Sequence, residues 1–227
     1  MSTILHIDTS ARPLSPKENR STSISRTLAQ HFITLWQNQL PQTQFIHRDL
    51  TTSHVGFIDQ NWIEAAFTSK EKQTQAQTAI LSLSNKLIDE VIQANTIVLS
   101  TPMYNYGMPA TLKAWFDQVI RIDKTFSFNL NRGDYPLNPI LSGKRLVLIT
   151  SSGEFGFELG GLREKMDHLH PHIETLSHYL GAESMHTIRA EYQEFNDERH
   201  QASLKRAYKE IKLLVNKLTR QPSQRSV

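Results

Sequence analysis

Cysteine is absent from this chain of 227 residues. Its absence excludes a disulfide framework, a thiolate nucleophile and a cysteine-based zinc site. It permits a reducing compartment without demonstrating one. A catalytic function must therefore depend on other side chains or on a bound cofactor.

Long apolar segments are also missing. No run approaches the roughly 18 apolar residues that a membrane span requires. The N-terminus MSTILHIDTS lacks the basic segment and apolar core of a secretory signal. We expect a soluble, cytoplasmic protein with no membrane partner.

The chain has little excess charge of either sign. It carries 25 basic and 22 acidic residues, which are dispersed and leave a net charge of +3. A nucleic-acid-binding surface typically shows a basic stripe with interleaved aromatic residues, and no such stripe is visible. We expect no nucleic-acid partner.

Apolar runs alternate with segments of helical periodicity along the chain, which indicates an α/β fold built from β–α units around a parallel sheet. The five predicted strands are 3–9, 44–48, 96–100, 145–150 and 184–190. The predicted helices are 24–35, 70–93, 109–121, 166–180 and 196–218.

The region 124–142 contains Gly133, Pro136 and Pro139 but no sustained period. We expect a long irregular loop there, of the kind that is often functional or mobile. No linker divides the chain. The sequence therefore predicts one domain over residues 1–220 and a flexible C-terminal tail over residues 221–227.

Three loops follow the carboxyl ends of predicted strands, where open α/β sheets bind small ligands. The first, at 10–25, is rich in hydroxyl groups and ends where a helix begins. Free N–H groups at a helix N-terminus attract anions, and Ser21, Ser23 and Ser25 would add donors. The alternative is a helix cap beside a solvated loop. Walker and G-x-G-x-x-G motifs are absent, so a mononucleotide phosphate fits this loop better.

The other two loops suit a planar ring. The second, TPMYNYGMP at 101–109, offers the rings of Tyr104 and Tyr106 and the amide of Asn105. The third, SSGEFGFELGG at 151–161, contains four of the nine glycines, which allow the backbone to approach a ligand closely. Each loop alone could be core packing or a turn. Around one crevice, the three loops predict a flavin mononucleotide site.

The segment PMYNYGMPATLKAWFDQV at 102–119 resembles the signature P-M-Y-N-F/Y-x-x-x-x-x-L-K-x-Y/W-F-D of the FMN-dependent NADH azoreductases. That family is similar to the NAD(P)H:quinone oxidoreductases of flavodoxin-like fold, and the resemblance spans most of the chain. Ser10, the Ser23-Ile24-Ser25 segment and Leu28 match its phosphate-binding pattern. The resemblance implies a flavodoxin-like three-layer sandwich with a five-stranded parallel sheet of order 2-1-3-4-5.

The resemblance also implies the site residues. FMN is expected to contact Ser10, Ser23, Ile24, Ser25, Pro102, Met103, Tyr104, Asn105, Tyr106, Ser151, Ser152, Gly153 and Glu154, with 103–106 on the isoalloxazine ring. Substrate is expected to contact Phe126, Phe128 and Phe155. The family usually has S-R-G-G where this chain has Ser151-Ser152-Gly153-Glu154, so the charge near the flavin and the choice of nicotinamide do not carry over.

The implied activity is a ping-pong reaction. NADH or NADPH reduces FMN, the nicotinamide leaves, and a quinone or an aromatic azo compound takes two electrons. Because the cofactor carries this chemistry, no catalytic side chain is expected. The resemblance further implies a homodimer with FMN near the interface, in which Trp62, Phe67, Phe126 and Phe128 form an aromatic lid or, alternatively, pack in the core or interface.

Two other functions stay open. One is a flavodoxin that carries electrons but has no NAD(P)H site, although such carriers are usually acidic. The other is a flavodoxin-like domain that has lost FMN.

Histidines invite a metal hypothesis. His168, His170 and His172 lie close in sequence, but Pro171 disturbs helical geometry and no matching cluster provides the remaining ligands. His6 and His47 lie on strand patterns and are expected to be core or edge histidines. We expect no metal site.

Overall fold

The computed structural model describes residues 2–14 and 22–220, so that Ser21 and the predicted tail at 221–227 lie outside the described residues. The strands are β1 (Thr3–Asp8), β2 (Gln44–Asp49), β3 (Thr96–Pro102), β4 (Phe126–Phe128), β5 (Leu137–Pro139), β6 (Lys144–Ser151) and β7 (Ala182–Ala190). The α-helices are α1 (Ile24–Gln39), α2 (Gln60–Phe67), α3 (Gln75–Ile80), α4 (Ser82–Gln93), α5 (Ala110–Val119), α6 (His170–Ser177) and α7 (Glu198–Arg220).

Five strands form one parallel sheet in the order β2-β1-β3-β6-β7. Counted along the sheet strands alone, this is the order 2-1-3-4-5, which confirms the predicted flavodoxin-like topology. The order reverses at β1 and β3, where the connections leave in opposite directions and open a crevice at the carboxyl ends.

The core has two layers, one on each face of the sheet. Strand β3 is buried along its whole length, and its side chains alternate between the faces. Ile97 and Leu99 pack with α4, α5 and α6, whereas Val98 packs with α1 and α7. Burial on both faces explains the uninterrupted apolar character of this strand.

The sheet strands lie within two residues of their predicted ends, but the single helix predicted over 70–93 is wrong. It is a 3-10 turn at Lys70–Lys72 followed by α3 and α4, which meet at Leu81. A capping box between Thr74 and Gln77 starts α3 inside the predicted helix, since these side chains satisfy N–H groups that a continuous helix would bond internally.

The predicted irregular loop at 124–142 is also partly wrong. It contains an antiparallel ladder in which Phe126 pairs with Pro139 and Phe128 with Leu137. Strands of three residues are too short to show a period. The helix predicted over 166–180 contains only α6, with 3-10 turns on both sides. The 3-10 turn after α6 ends at Gly181. The φ of this residue is 82°, and its close contacts with the backbone at 141–142 leave no room for a side chain.

Helix α7 packs against α1 through a stripe at three- and four-residue spacing that includes Ala207, Ile211, Val215 and Leu218. Its other side is polar and charged. Within residues 2–14 and 22–220, no helix combines the length and the apolar character that crossing a bilayer requires.

Candidate functional site

A pocket of about 200 Å³ opens at the carboxyl edge of the sheet. It is bounded by the segments that follow β1, β3, β6 and β7. Its lining includes the predicted cofactor residues Ser10, Ser23, Ile24, Pro102, Met103, Tyr104, Ser151 and Gly153. The fold therefore brings all three predicted loops to one crevice.

The N-terminus of α1 forms one wall of this pocket. Ser23 caps the helix, and its Oγ accepts a hydrogen bond from the Arg26 N–H at 3.3 Å. Ser25 is fully buried behind it, with its Oγ 3.2 Å from Ser23 Oγ. The first N–H groups of a helix have no intrahelical partner, so this wall presents donors to a bound anion.

Arg26 fixes the first loop to the sheet. Its guanidinium donates to the Ser10 carbonyl at 2.8 and 3.2 Å and to both oxygens of Asp49 at 2.7 and 2.8 Å. Burial alone would lower the pKa of Arg26, but Asp49 and Asp8 outweigh burial and raise the pKa. Nothing in the sequence pairs Arg26 with Asp49, so this ion pair, which holds the first loop on the sheet, could not be predicted from the sequence.

The second loop is a tight turn with unusual backbone geometry. Tyr104 and Gly107 exchange two backbone hydrogen bonds of 2.9 and 3.0 Å. Between them, Asn105 has a φ of 47° and Tyr106 a φ of 66°. Turns of this kind strongly favour asparagine and glycine, so a tyrosine there is strained. Such strain persists only where the surroundings enforce it, and it concentrates at functional sites.

Neighbouring segments enforce this conformation. The Tyr104 hydroxyl accepts a hydrogen bond from the Ala11 N–H at 3.3 Å. The Tyr106 carbonyl accepts one from the backbone N–H of His168 at 3.0 Å. The Tyr106 hydroxyl donates to Glu154 at 3.0 Å. The turn is therefore tied to the first loop, the third loop and the segment before α6.

Glu154 is not an isolated charge beside the pocket. Its carboxylate pairs with Arg163 at 2.9 Å and accepts the Tyr106 hydrogen bond. That hydrogen bond and the negative charge of Glu154 raise the pKa of Tyr106, so the phenol stays protonated as a donor at neutral pH. Arg163 balances the negative charge that Glu154 brings to the third loop.

Several predicted residues support the pocket without lining it. Ser25, Asn105, Tyr106, Ser152 and Glu154 are absent from its lining. Ser152 Oγ donates to the Glu154 carbonyl at 2.9 Å, which stabilises the third loop internally.

The three predicted substrate residues do not converge on this pocket within the protomer. Phe155 stacks on Tyr192 with ring centroids 4.2 Å apart. The Arg163 guanidinium lies over the Phe155 ring, 4.6 Å from the centroid of that ring. Phe126 contacts Tyr179 edge to face at 5.9 Å. Phe128 projects from the β4–β5 hairpin and is 48% exposed.

The proposed lid residues differ from one another in burial. Trp62 is buried, and its indole N–H donates to Gln118 Oε1 at 2.9 Å. Trp62 therefore packs in the core, which was the alternative to a role in an aromatic lid. Phe67 is 69% exposed.

Four lining residues were missed: Arg12, Thr22, Gln193 and Glu194. The last two follow β7, and the rule that ligands bind at the carboxyl ends of strands could have identified them. Glu194 packs so closely on Gly153 that a Cβ built there would lie 2.6 Å from Glu194 Cγ. A side chain at this position would force Glu194 or the loop to move.

The histidine-rich segment before and within α6 forms a buried structural network. His170 Nδ1 lies 2.7 Å from Asp167 and its Nε2 lies 3.1 Å from Thr150 Oγ1. Burial would raise the pKa of Asp167, but its hydrogen bonds with His170 and Leu169 outweigh burial and lower the pKa. His168 and His172 are exposed.

Comparison with known proteins agrees with this architecture. The sequence model of a family described by a flavodoxin-like fold matches residues 2–214. The chain is 56% identical over 218 residues to the FMN-dependent NADH:quinone oxidoreductase 2 of Colwellia psychrerythraea, covering 96% of this chain and 100% of that protein. It is 53% identical over 219 residues to the protein of the same name from Idiomarina loihiensis, covering 96% and 91%.

Solved structures show the same fold. The FMN complex of an FMN-dependent NADH-azoreductase from Bacillus anthracis superposes with a TM-score of 0.80 at 21% identity, over 96% of this chain and all of that one. An azoreductase from the same species gives 0.82 at 18% identity, over 96% and 100%.

The fold and the family match define a protein of the flavodoxin-like class. Within that class, the chain belongs to the family of FMN-dependent NADH:quinone oxidoreductases and is an oxidoreductase enzyme.

Proposed function

We propose that this protein is a cytoplasmic FMN-dependent NAD(P)H reductase that transfers two electrons to quinones and reductively cleaves aromatic azo compounds. The observation that carries the proposal is the convergence of the loops after β1, β3 and β6 on one pocket. The names of the two relatives, both over 50% identical, support FMN, NADH and quinone as its ligands.

The pocket residues fit FMN. Ser10 and Ser23 bring hydroxyl groups to the pocket lining. These hydroxyls, the start of α1 and the positive charge of Arg12 suit a phosphate. On the other side, Tyr104, Met103 and the backbone near Gly153 suit the face and edges of a flat ring.

When bound, FMN would supply the redox chemistry, accepting a hydride from NAD(P)H and returning two electrons to the acceptor, in a ping-pong order in which nicotinamide and acceptor use the site in turn. The chain's own groups have three tasks. Ser10 and Ser23 hold the phosphate, the turn at 104–107 orients the ring, and the Tyr106–Glu154–Arg163 contacts keep the second and third loops in register. Prepositioned donors cost little reorganisation during the reaction.

A homodimer completes the proposal, with FMN near the interface. Large apolar side chains are exposed on α2, at Phe67, and on the hairpin, at Phe128 and Tyr135. Contact with a second protomer would remove these side chains from water. We expect Phe128→Glu to shift the protein towards monomer in light scattering after gel filtration and to weaken FMN retention. Leu213→Glu, at a residue 59% exposed on α7, is the matched control and should remain dimeric.

The central experiment is a visible spectrum of the purified protein with FMN, followed by anaerobic NADH and then benzoquinone. Bound flavin should bleach with NADH without a partner reductase and recover its colour with the quinone. Parallel reactions with NADPH and an azo dye define the nicotinamide choice and the acceptor range.

Other outcomes separate the alternatives. Flavin that binds but does not bleach would identify an electron carrier. A protein that does not bind FMN would be a flavodoxin-like domain without its cofactor. Steady-state rates with NADH and quinone varied together should give parallel double-reciprocal lines, and intersecting lines would exclude the ping-pong order.

A further inference from the structure

Two histidines and a carboxylate meet on one face of the β1–β2 edge of the sheet. His6 and His47 lie opposite each other in the parallel register, and their rings stack with centroids 4.9 Å apart. Asp8 lies two residues after His6 and therefore on the same face. Its carboxylate lies 3.1 Å from His6 Nε2 and 2.9 Å from His47 Nε2. Both imidazoles thus present the same nitrogen to one carboxylate.

This arrangement differs from the histidine-rich segment at 167–172. One ligand atom from each of His6, Asp8 and His47 lies within 4.8 Å of the others. Across residues 2–14 and 22–220, no other group of three or more histidine, aspartate or glutamate side chains meets that distance condition. The tertiary fold therefore selects a cluster that is scattered in sequence.

The charge of the cluster favours a cation. Asp8 is buried, and its carboxylate accepts a hydrogen bond from Ser100 and lies within hydrogen-bond distance of both imidazoles. Arg26 lies 3.4 Å from Asp8, but its two shorter contacts go to Asp49. Beside the two imidazoles, two carboxylates, those of Asp8 and Asp49, face one guanidinium, that of Arg26.

We propose that His6, Asp8 and His47 form a binding site for a divalent transition-metal ion such as Zn²⁺. Two imidazole nitrogens and one carboxylate oxygen are a standard ligand set for this ion, with water in the fourth position. The Nε2 atoms that now face Asp8 would bind the ion in their unprotonated form.

The surroundings provide the other features of a metal site. Ser100 Oγ donates to Asp8 Oδ1 and orients the carboxylate from beneath. The His47 side chain is 55% exposed on the edge strand β2, which gives the ion a path from solvent. Nitrogen ligands bind Zn²⁺ at about 2.0–2.1 Å, and the exposure of the His47 ring leaves it room to adjust to that distance.

The site is separate from the FMN pocket, because none of its three residues lines that pocket. Arg26 connects it to the edge of the pocket, because it contacts both Asp8 and the Ser10 carbonyl. The proposal does not depend on the proposed function, and its test needs no turnover.

The test is titration calorimetry of the full-length, FMN-loaded protein with ZnCl₂, and Co²⁺ absorption as a second measurement. The wild type should bind one equivalent of Zn²⁺ and give Co²⁺ bands at longer wavelength than the flavin. His47→Ala should weaken binding at least tenfold, since loss of an outer-shell partner alone costs about 10- to 100-fold. The half-exposed position of His47 leaves the core intact.

His172→Ala, at an exposed histidine on α6, is the matched control and should bind like the wild type. Absence of Zn²⁺ binding by the wild type would overturn the proposal. Equal affinity in the wild type and His47→Ala would also overturn it, as would an equal loss in both variants, which would indicate unspecific surface binding.

Discussion

The Tyr106 hydroxyl donates a hydrogen bond of 3.0 Å to the Glu154 carboxylate and thereby joins the turn after β3 to the loop after β6. Arg163 holds the same carboxylate from the other side at 2.9 Å. The two loops on either side of the proposed flavin ring are therefore coupled through one side-chain contact. Because Tyr106 adopts a left-handed backbone conformation, this contact also helps to maintain the strained turn.

We expect Tyr106→Phe and Glu154→Ala, each of which removes the hydrogen bond between these residues, to weaken FMN binding in a non-additive way. Each single variant should raise the dissociation constant about two- to fivefold, and the double variant should be little worse than either, because residues in direct contact couple. Fluorescence titration of the apoprotein with FMN measures all three values. Tyr208→Phe, at an exposed tyrosine on α7, is the control. Fully additive losses would show that the two side chains act separately.

Gly153 provides a test of packing at the pocket. A Cβ there would lie 2.6 Å from Glu194 Cγ, so Gly153→Ala forces Glu194 or the loop to move. Overpacking costs about 1–3 kcal/mol, and we expect FMN affinity to fall by roughly 5- to 150-fold. Adding Glu194→Ala removes the clashing atom and should restore most of the affinity.

Gly56→Ala is the matched control, because nothing lies within 4 Å of a Cβ at that position. Its FMN affinity should equal that of the wild type. If Gly153→Ala also leaves the affinity unchanged, the contact with Glu194 does not shape the site.

Asn105 combines an amide with a φ of 47°, and two variants separate these contributions. Asn105→Gly removes the amide but accepts the left-handed conformation, whereas Asn105→Ala removes the amide and adds strain of about 1–2 kcal/mol. We expect both variants to weaken FMN retention or slow reduction by NADH, with the alanine variant more affected.

Equilibrium dialysis and stopped-flow reduction measure these two quantities. Asn131→Ala, at an exposed asparagine in the hairpin connection, controls for loss of a surface amide. If Asn105→Gly retains FMN and is reduced by NADH as well as the wild type, the Asn105 amide does not take part in the proposed site.

The lowered pKa of Asp167 predicts that the free energy of unfolding depends on pH. Its pKa in the folded protein lies below the ordinary value of 3.8, so the carboxylate stabilises the fold above that pH. The stabilisation is lost as the pH falls through the lowered pKa. Asp167→Asn should cost about 1–3 kcal/mol at pH 7, because one amide oxygen cannot accept all three of the N–H groups that now face the carboxylate.

Urea unfolding at pH 7 and below the ordinary carboxyl pKa measures this effect. The difference in the free energy of unfolding between the wild type and Asp167→Asn should be smaller at the lower pH. The control is Asp134→Asn, at an exposed aspartate, which should be as stable as the wild type at both pH values. A difference that does not change with pH would mean that packing, and not charge, carries the effect.

The sheet was more predictable than the helices around it. A doubly covered strand such as β3 contains an uninterrupted apolar run, which local sequence shows directly. The division of 70–93 at Leu81, in contrast, depends on the Thr74 capping box and on Trp62, Ala65 and Leu81 packing together. Local periodicity does not reveal such a packing arrangement.

The pocket shows the same division. Ser10, Ser23 and Met103 could be predicted because they directly follow strands or begin a helix in a recognisable motif. Glu194 follows the last strand without a motif, and the stacking of Phe155 on Tyr192 brings together residues far apart in the chain. Only the folded chain determines whether such a ring is available to a ligand.

The parallel α/β class, the strand-end loops and the family resemblance could be read from the sequence alone, because these depend on local periodicity and on motifs of contiguous residues. Three other features appear only in the folded chain: the pairing of Glu154 with Arg163, the burial of Trp62 and the meeting of His6, Asp8 and His47. The first depends on how the loop after β6 folds back on itself, the second on where α2 packs, and the third on the register between β1 and β2. Register brings His6 and His47, which are far apart in sequence, next to the same carboxylate, and no local pattern encodes that proximity.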